Sequence, residues 1–88
     1  MTQPLISVIM PTYNQAGFVG EAVESVLRQT YKHFELIVID NFSSDHTEEI
    51  VRLLTLKDSR IKYIKFSNEG IIAKSRNVGI RESRGEYL

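Results

Sequence analysis

The stretch Phe34-Glu35-Leu36-Ile37-Val38-Ile39-Asp40 constrains this chain more than any other. Aliphatic residues occupy successive positions from Leu36 to Ile39, three of them β-branched, and the run stops at Asp40 before Asn41-Phe42-Ser43-Ser44-Asp45. A strand that is apolar at every position, rather than at alternate ones, has both faces covered, as in a parallel sheet between layers of helix. Ligands of such sheets bind outside the carboxyl ends of the strands. Asp40 and Asn41 are therefore expected at the mouth of a binding site.

The flanking sequence repeats the theme. Leu5 to Met10 is a second apolar strand, expected to close at Pro11, which has no N–H for a ladder. Thr12-Tyr13-Asn14-Gln15 is a polar turn. Phe18, Val19, Ala22, Val23, Val26 and Leu27 then form one apolar stripe, predicting a helix over residues 17–29. Asp45-His46-Thr47-Glu48 has the pattern of a capping box ahead of a second helix. Ile61 to Phe66 is β-rich and carries lysines, as an edge strand does. Ser67-Asn68-Glu69-Gly70 is a turn with Gly70 placed for positive φ, and residues 71–83 form a third helix in which Gly79 costs about 1 kcal/mol unless close packing needs it. Gly85-Glu86-Tyr87-Leu88 starts a fourth strand. The order is β-α-β-α-β-α-β, an α/β fold of three layers, α/β/α and Rossmann-like, with a mostly parallel sheet.

At 88 residues the chain holds one domain at most. A chain of this size buries only about 60–65% of its unfolded surface, so it reads as part of a larger unit. Eleven basic and eleven acidic residues cancel, leaving no global field to attract nucleic acid or anionic membrane. There is no cysteine, hence no disulfide and no thiolate metal site. The amino terminus has no basic n-region, and its apolar run is too short for a signal or a span, so a cytoplasmic chain is expected.

Tyr13 offers a ring for stacking on a base. Asp40 or Asn41 offers an acceptor for an imide N–H, the alternative being that Asp40 ends the strand and caps the following turn. The dinucleotide pattern of spaced glycines is missing after the first strand, where Pro11-Thr12-Tyr13-Asn14-Gln15-Ala16-Gly17 stands, and no Walker sequence occurs. Lys74 reads as solvated surface. His33 and His46 form no motif of ligand spacing, and no nucleophile triad exists, so no catalytic residue and no metal ligand is assigned. A receiver-like domain would need an acidic cluster after the first strand, which Pro11-Thr12-Tyr13 does not supply.

Together, Ile6–Asn14, Ser25–Tyr31, Phe34–Asn41, Ser43–Thr47, Ser75–Ile80 and Gly85–Leu88 resemble the amino-terminal half of the family 2 glycosyltransferases, inverting nucleotide-sugar enzymes with a GT-A fold. The resemblance covers nearly the whole chain. It implies a site for a nucleotide-diphosphate sugar in which Pro11, Thr12 and Tyr13 shape the base pocket, Asp40 and Asn41 hold base or ribose, and Arg76 lines the nucleotide or diphosphate side. Many members carry a second Asp where this chain has Asn41, and Gly in place of Phe42 and His46. An Asn carbonyl can accept from a base N–H, and the donor implied is a UDP- or dTDP-sugar. The resemblance further implies that residues 1–88 stop short of the Asp-x-Asp motif holding a divalent cation, Mg or Mn, and short of the general base. The intact enzyme would transfer sugar to a carbohydrate or lipid-linked acceptor hydroxyl, in surface polysaccharide synthesis, in the cytoplasm or at the inner face of the membrane with peripheral association. These residues alone would bind the donor without turnover. A non-catalytic nucleotide-binding or protein-interaction module is the competing expectation.

Overall fold

The computed structural model describes residues 4–29 and 31–87, the side chains of Glu86 and Tyr87 excepted. Thr30 and Leu88, both included in the sequence reading, lie outside them. The elements are β1 (Ile6–Thr12), α1 (Val19–Leu27), β2 (Phe34–Asp40), α2 (Thr47–Lys57), β3 (Ile61–Lys65), α3 (Ile72–Glu82) and β4 (Glu86–Tyr87). The strands lie in the order β3-β2-β1-β4, and every pairing is parallel. All seven residues of β2 are buried, as its unbroken apolar run requires.

Alternation along the strands separates two cores. Phe34, Leu36 and Val38 of β2 pack with Val19 and Val23 of α1 and with Val51 and Leu54 of α2, and Ile6, Val8, Met10, Ile61 and Tyr63 join them. The opposite face, bearing Ile9 and Ile39, receives α3. A methyl group on Gly79 of α3 would stand 2.5 Å from Ile9 Cγ2 and 2.9 Å from Ile39 Cδ1. The helical glycine is thus required by close packing. The chain winds outward through β1, β2 and β3, then crosses back to β4 on the far side of β1. A crossover of the same hand running the opposite way puts its helix on the opposite face, which generates the three layers. It also makes the carboxyl end of β1 the switch point of the sheet.

Pro11 does not close β1. The strand passes through it, with Pro11 opposite Ile39 and Thr12 opposite Asp40. The N–H of Ile6 donates to His33 and the carbonyl of Thr12 accepts from Asn41, so even-numbered residues of β1 point their backbone groups at β2. Pro11 points its missing N–H the other way, where the described residues of β4 pair with Ile6 and Ser7. The ladder between β1 and β2 loses no hydrogen bond at Pro11.

The capping box before α2 does not form, because the cap position falls on His46, which makes no side-chain capping hydrogen bond. Asp45 Oδ1 accepts from the Thr47 N–H at 3.0 Å and the Thr47 hydroxyl at 2.6 Å, whereas Glu48 turns outward to Arg52 and Lys65, at 2.7 and 2.9 Å. Two cations outcompete a backbone amide for that carboxylate. Gly70 takes the expected positive φ, 80°, and Glu69 before it shares the left-handed region at 55°.

At the amino-terminal end of the sheet, Glu35 is almost fully buried. Its Oε2 accepts from Ser7 Oγ at 2.6 Å and from the Arg84 N–H at 2.7 Å, while Lys62 and Arg84 approach Oε1 at 3.8 and 3.6 Å. Burial raises the Glu35 pKa, but these hydrogen bonds and charges outweigh it and hold the carboxyl below its ordinary range. Ser7 Oγ also accepts from the Gly85 N–H, so the cluster docks the entry to β4.

Candidate functional site

The loops after β1 and β2 are stapled together side by side. Asn14, in the left-handed region at φ 49°, accepts on Oδ1 from the Ser44 N–H at 2.8 Å, and its own N–H donates to Ser43 Oγ at 2.8 Å. The Gln15 N–H reaches Thr47 Oγ1 at 2.9 Å and the Ala16 N–H reaches Asp45 Oδ2 at 3.1 Å. The hydrogen bond from the Thr47 hydroxyl is the main reason that the Asp45 carboxyl titrates below its ordinary value. These bonds satisfy the backbone of a loop that would otherwise depend on water, and they fix Tyr13, which projects half exposed from it.

Across from Tyr13 stands α3. Pro11, Thr12, Tyr13 and Gln15 from the β1 side, with Asn68, Ile72 and Arg76 from the α3 side, line a cleft of about 450 Å³. The amino terminus of α3 opens at this end of the sheet without a side-chain cap, adding the partial positive charge of a helix end. Arg76 is exposed, and its guanidinium makes no hydrogen bond or ion pair with a described residue. Lys74, by contrast, pairs with Glu69 at 3.0 Å. A second cleft, of about 440 Å³, is lined by Ile6, Val8, Val26, Gln29, Tyr31 and Phe34 at the other end of the strands. Its walls carry no charged side chain, so it lacks the chemistry of an anion site.

The structure thus brings together Pro11, Thr12, Tyr13 and Arg76. Asp40 is not in the cleft. It shares the face of Leu36 and Val38, is fully buried, and accepts from the Ser43 N–H and hydroxyl at 3.1 and 2.5 Å on Oδ1 and from the Tyr63 hydroxyl on Oδ2. Burial first, then the hydrogen bond to Asp40, pushes the Tyr63 hydroxyl up, so it stays a donor at neutral pH. Asn41 takes the α3 face. Its N–H donates to the Thr12 carbonyl and its Oδ1 accepts from the Asn68 N–H at 2.9 Å. Asn41 stands behind the cleft wall, bonded to two residues that line it.

Asn68 is the site residue that the sequence reading passes over. Nearly buried, it donates through Nδ2 to Ser75 Oγ at 2.9 Å and accepts on Oδ1 from the Gly70 N–H at 2.9 Å. The available signal is an Asn two residues before a positive-φ Gly, an Asx-turn pattern. Phe42 follows Asn41 in the left-handed region, at φ 50°, with Lys65 Nζ 5.0 Å from its ring centroid.

Among the described residues, no group of three or more His, Cys, Asp or Glu is placed to hold a metal ion. They offer no seat for the divalent cation that the resemblance implies, and none is assigned here. No helix of the described residues is long and apolar enough to cross a membrane.

A sequence profile described as Glycosyl transferase family 2 matches residues 7–88. The chain belongs to that family. It is 38% identical over 84 residues to glycosyltransferase GlyG of Streptococcus pneumoniae, an alignment covering 96% of this chain and 28% of GlyG. It is 34% identical over 86 residues to the provisionally named teichuronic acid biosynthesis glycosyltransferase TuaG of Bacillus subtilis, covering 98% of this chain and 34% of TuaG. The chain therefore spans about a third or less of the length of these relatives. Among solved structures, the mannosyltransferase PcManGT of Pyrobaculum calidifontis, in complex with GDP-Man and Mn2+, superposes with a TM-score of 0.85 at 26% identity, covering 96% of this chain and 26% of that one. S. aureus TarS residues 1–349, in complex with UDP-GlcNAc, gives 0.83 at 33% identity, covering 94% and 25%. The fold is that of the GT-A glycosyltransferases.

Proposed function

We propose that residues 1–88 form the donor-nucleotide half of a glycosyltransferase that moves a sugar from a nucleoside diphosphate to an acceptor hydroxyl. The observation that carries this reading is the cleft at the sheet's switch point, with the half-exposed Tyr13 ring and the Arg76 guanidinium, unpaired among the described residues, in its walls. A base stacks on the ring and a diphosphate meets the guanidinium and the amino terminus of α3. The solved relatives that carry UDP-GlcNAc and GDP-Man support a nucleotide-sugar donor, here a UDP- or dTDP-sugar.

In the intact protein the sugar departs by single in-line displacement with inversion. The acceptor is a carbohydrate or lipid-linked hydroxyl, and the product a surface polysaccharide, in keeping with the name of TuaG. The protein works in the cytoplasm, at the inner face of the membrane where the acceptor is lipid-linked. A divalent cation and the general base lie outside these residues, whose own part is to stack, to neutralise and to position. The test is calorimetric titration of the chain with UDP, dTDP and ADP. Binding of UDP or dTDP with weaker or no binding of ADP supports the reading, and equal binding of all three removes the pyrimidine pocket.

A further inference from the structure

The face of the sheet that carries α1 and α2 is covered unevenly. Leu36 and Val38 of β2 are fully buried there, whereas Ile6, Val8 and Met10 on the same face of β1 are only half-buried. The apolar cleft between Ile6, Val8, Val26 and Gln29 opens along this strip, and a hollow of about 170 Å³ continues it past Met10, Phe18 and Ala22. Helix α1 borders both, and its outer side has the spacing of a pairing seam. Phe18, Ala22, Ser25 and Gln29 follow one another at intervals of four, three and four residues, the a/d repeat of paired helices. Phe18, at the N-cap, is 70% exposed. Ala22 and Ser25, in the middle, are small enough for a second helix to come close. The Ser25 hydroxyl donates to the Ala22 carbonyl at 2.8 Å, so it brings no unpaired donor to such a contact. Glu21 and Arg28 flank the seam, sharing a surface hollow with Phe18, Ala22 and Ser25. Neither charged side chain makes a hydrogen bond or ion pair with a described residue.

We propose that two copies of this chain pair through α1, antiparallel and about a two-fold axis between Ala22 and Ser25. In that register Ala22 lies opposite the partner's Ser25, and Phe18 opposite the partner's Gln29. Glu21 then meets the partner's Arg28, and the two-fold axis repeats the contact from Arg28 to the partner's Glu21. Parallel pairing would set Glu21 against Glu21 and Arg28 against Arg28, so the charges select the antiparallel arrangement. The same register carries each Phe18 ring to the rim of the partner's apolar cleft, where Gln29 stands. Ring and cleft match in polarity, and each copy supplies one of each. Two short helices make a small interface, below the roughly 1,200 Å² of standard complexes, so the association is weak and depends on concentration.

The experiment is sedimentation equilibrium of the chain from about 10 μM to about 1 mM at low salt. The wild-type chain is expected to pass from monomer to dimer across that range. Glu21→Arg and Arg28→Glu should each weaken dimerisation by about 10-fold or more, because two attractions become two repulsions. An equimolar mixture of the two variants should associate again to within about threefold of the wild type, since each variant then carries the complement of the other. Circular dichroism establishes that each variant is folded. A monomer over the whole range overturns the proposal. So does a dimer indifferent to both charge reversals, which places the association on another surface, and so does a mixture that stays monomeric. If either reversal fails to fold, Phe18→Ser replaces it, since the ring is mostly exposed. Dimerisation unchanged in Phe18→Ser overturns the proposal as well, and a loss of about 10-fold supports it.

Discussion

Asp40 and Asn41 are neighbours in sequence but face opposite sides of the sheet: Asp40 accepts from the Tyr63 hydroxyl beneath the α1–α2 layer, and Asn41 accepts from Asn68 beside α3. Neither side chain lines the cleft, although Asn41 bonds to Thr12 and Asn68, which do. On the proposed reading the chemistry of the site falls to Tyr13 and Arg76, and Asp40 holds the turn after β2 through Ser43.

On the proposed reading Tyr13, half exposed at the cleft, supplies the stacking surface. Tyr13→Ala is expected to weaken UDP binding by about 10-fold, near the middle of the range for a base stacked on an aromatic ring. Thermal unfolding monitored by circular dichroism should be unchanged, since the ring is half exposed.

On the proposed reading Arg76 meets the diphosphate and not the base. Arg76→Gln is expected to weaken UDP about 3- to 10-fold while leaving uridine unaffected, as measured by calorimetry. The difference shrinks as salt is added, because the guanidinium is exposed and screened.

Glu35 contributes stability as a carboxylate. Its folded pKa lies below the ordinary 4.5, so its contribution is complete above that value and is lost as pH falls through the lower, folded one. Urea titrations between pH 7 and pH 3 should show Glu35→Gln less stable by about 1–3 kcal/mol at pH 7, with the gap closing towards pH 3. A gap independent of pH would assign the loss to packing instead.

Gly79→Ala tests the α3 contact. In an open helix the change gains about 1 kcal/mol. Here the methyl group would press on Ile9 and Ile39, and overpacking of this kind costs about 1–3 kcal/mol. A net loss in chemical denaturation is expected, and a gain would mean that α3 does not seat so closely on β1 and β2.

Element order, the edge position of β3 and the positive φ at Gly70 are legible in the sequence because each rests on a local signal: periodicity, lysine content, a turn residue. The side chains at the end of β2 are not. A strand buried on both faces shows no alternation, and without alternation nothing says which face Asp40 takes. Its parity with Phe34, Leu36 and Val38 becomes informative only once α1 and α2 are known to cover that side. Pro11 misleads for a related reason. A proline ends a strand only if its missing N–H faces a partner, and which side it faces is set by the register of β1 on β2. Asn68 escapes because its role is made by contacts to Asn41 across 27 residues, which no local pattern encodes.

The most direct test of the account is an amide chemical-shift titration of the chain with UDP. The account predicts shifts confined to Thr12, Tyr13, Gln15, Asn68, Ile72 and Arg76 around the cleft, with Val26, Gln29 and Phe34 at the other end of the strands unmoved. Shifts centred on that second, apolar cleft, or none at saturating UDP, would contradict it.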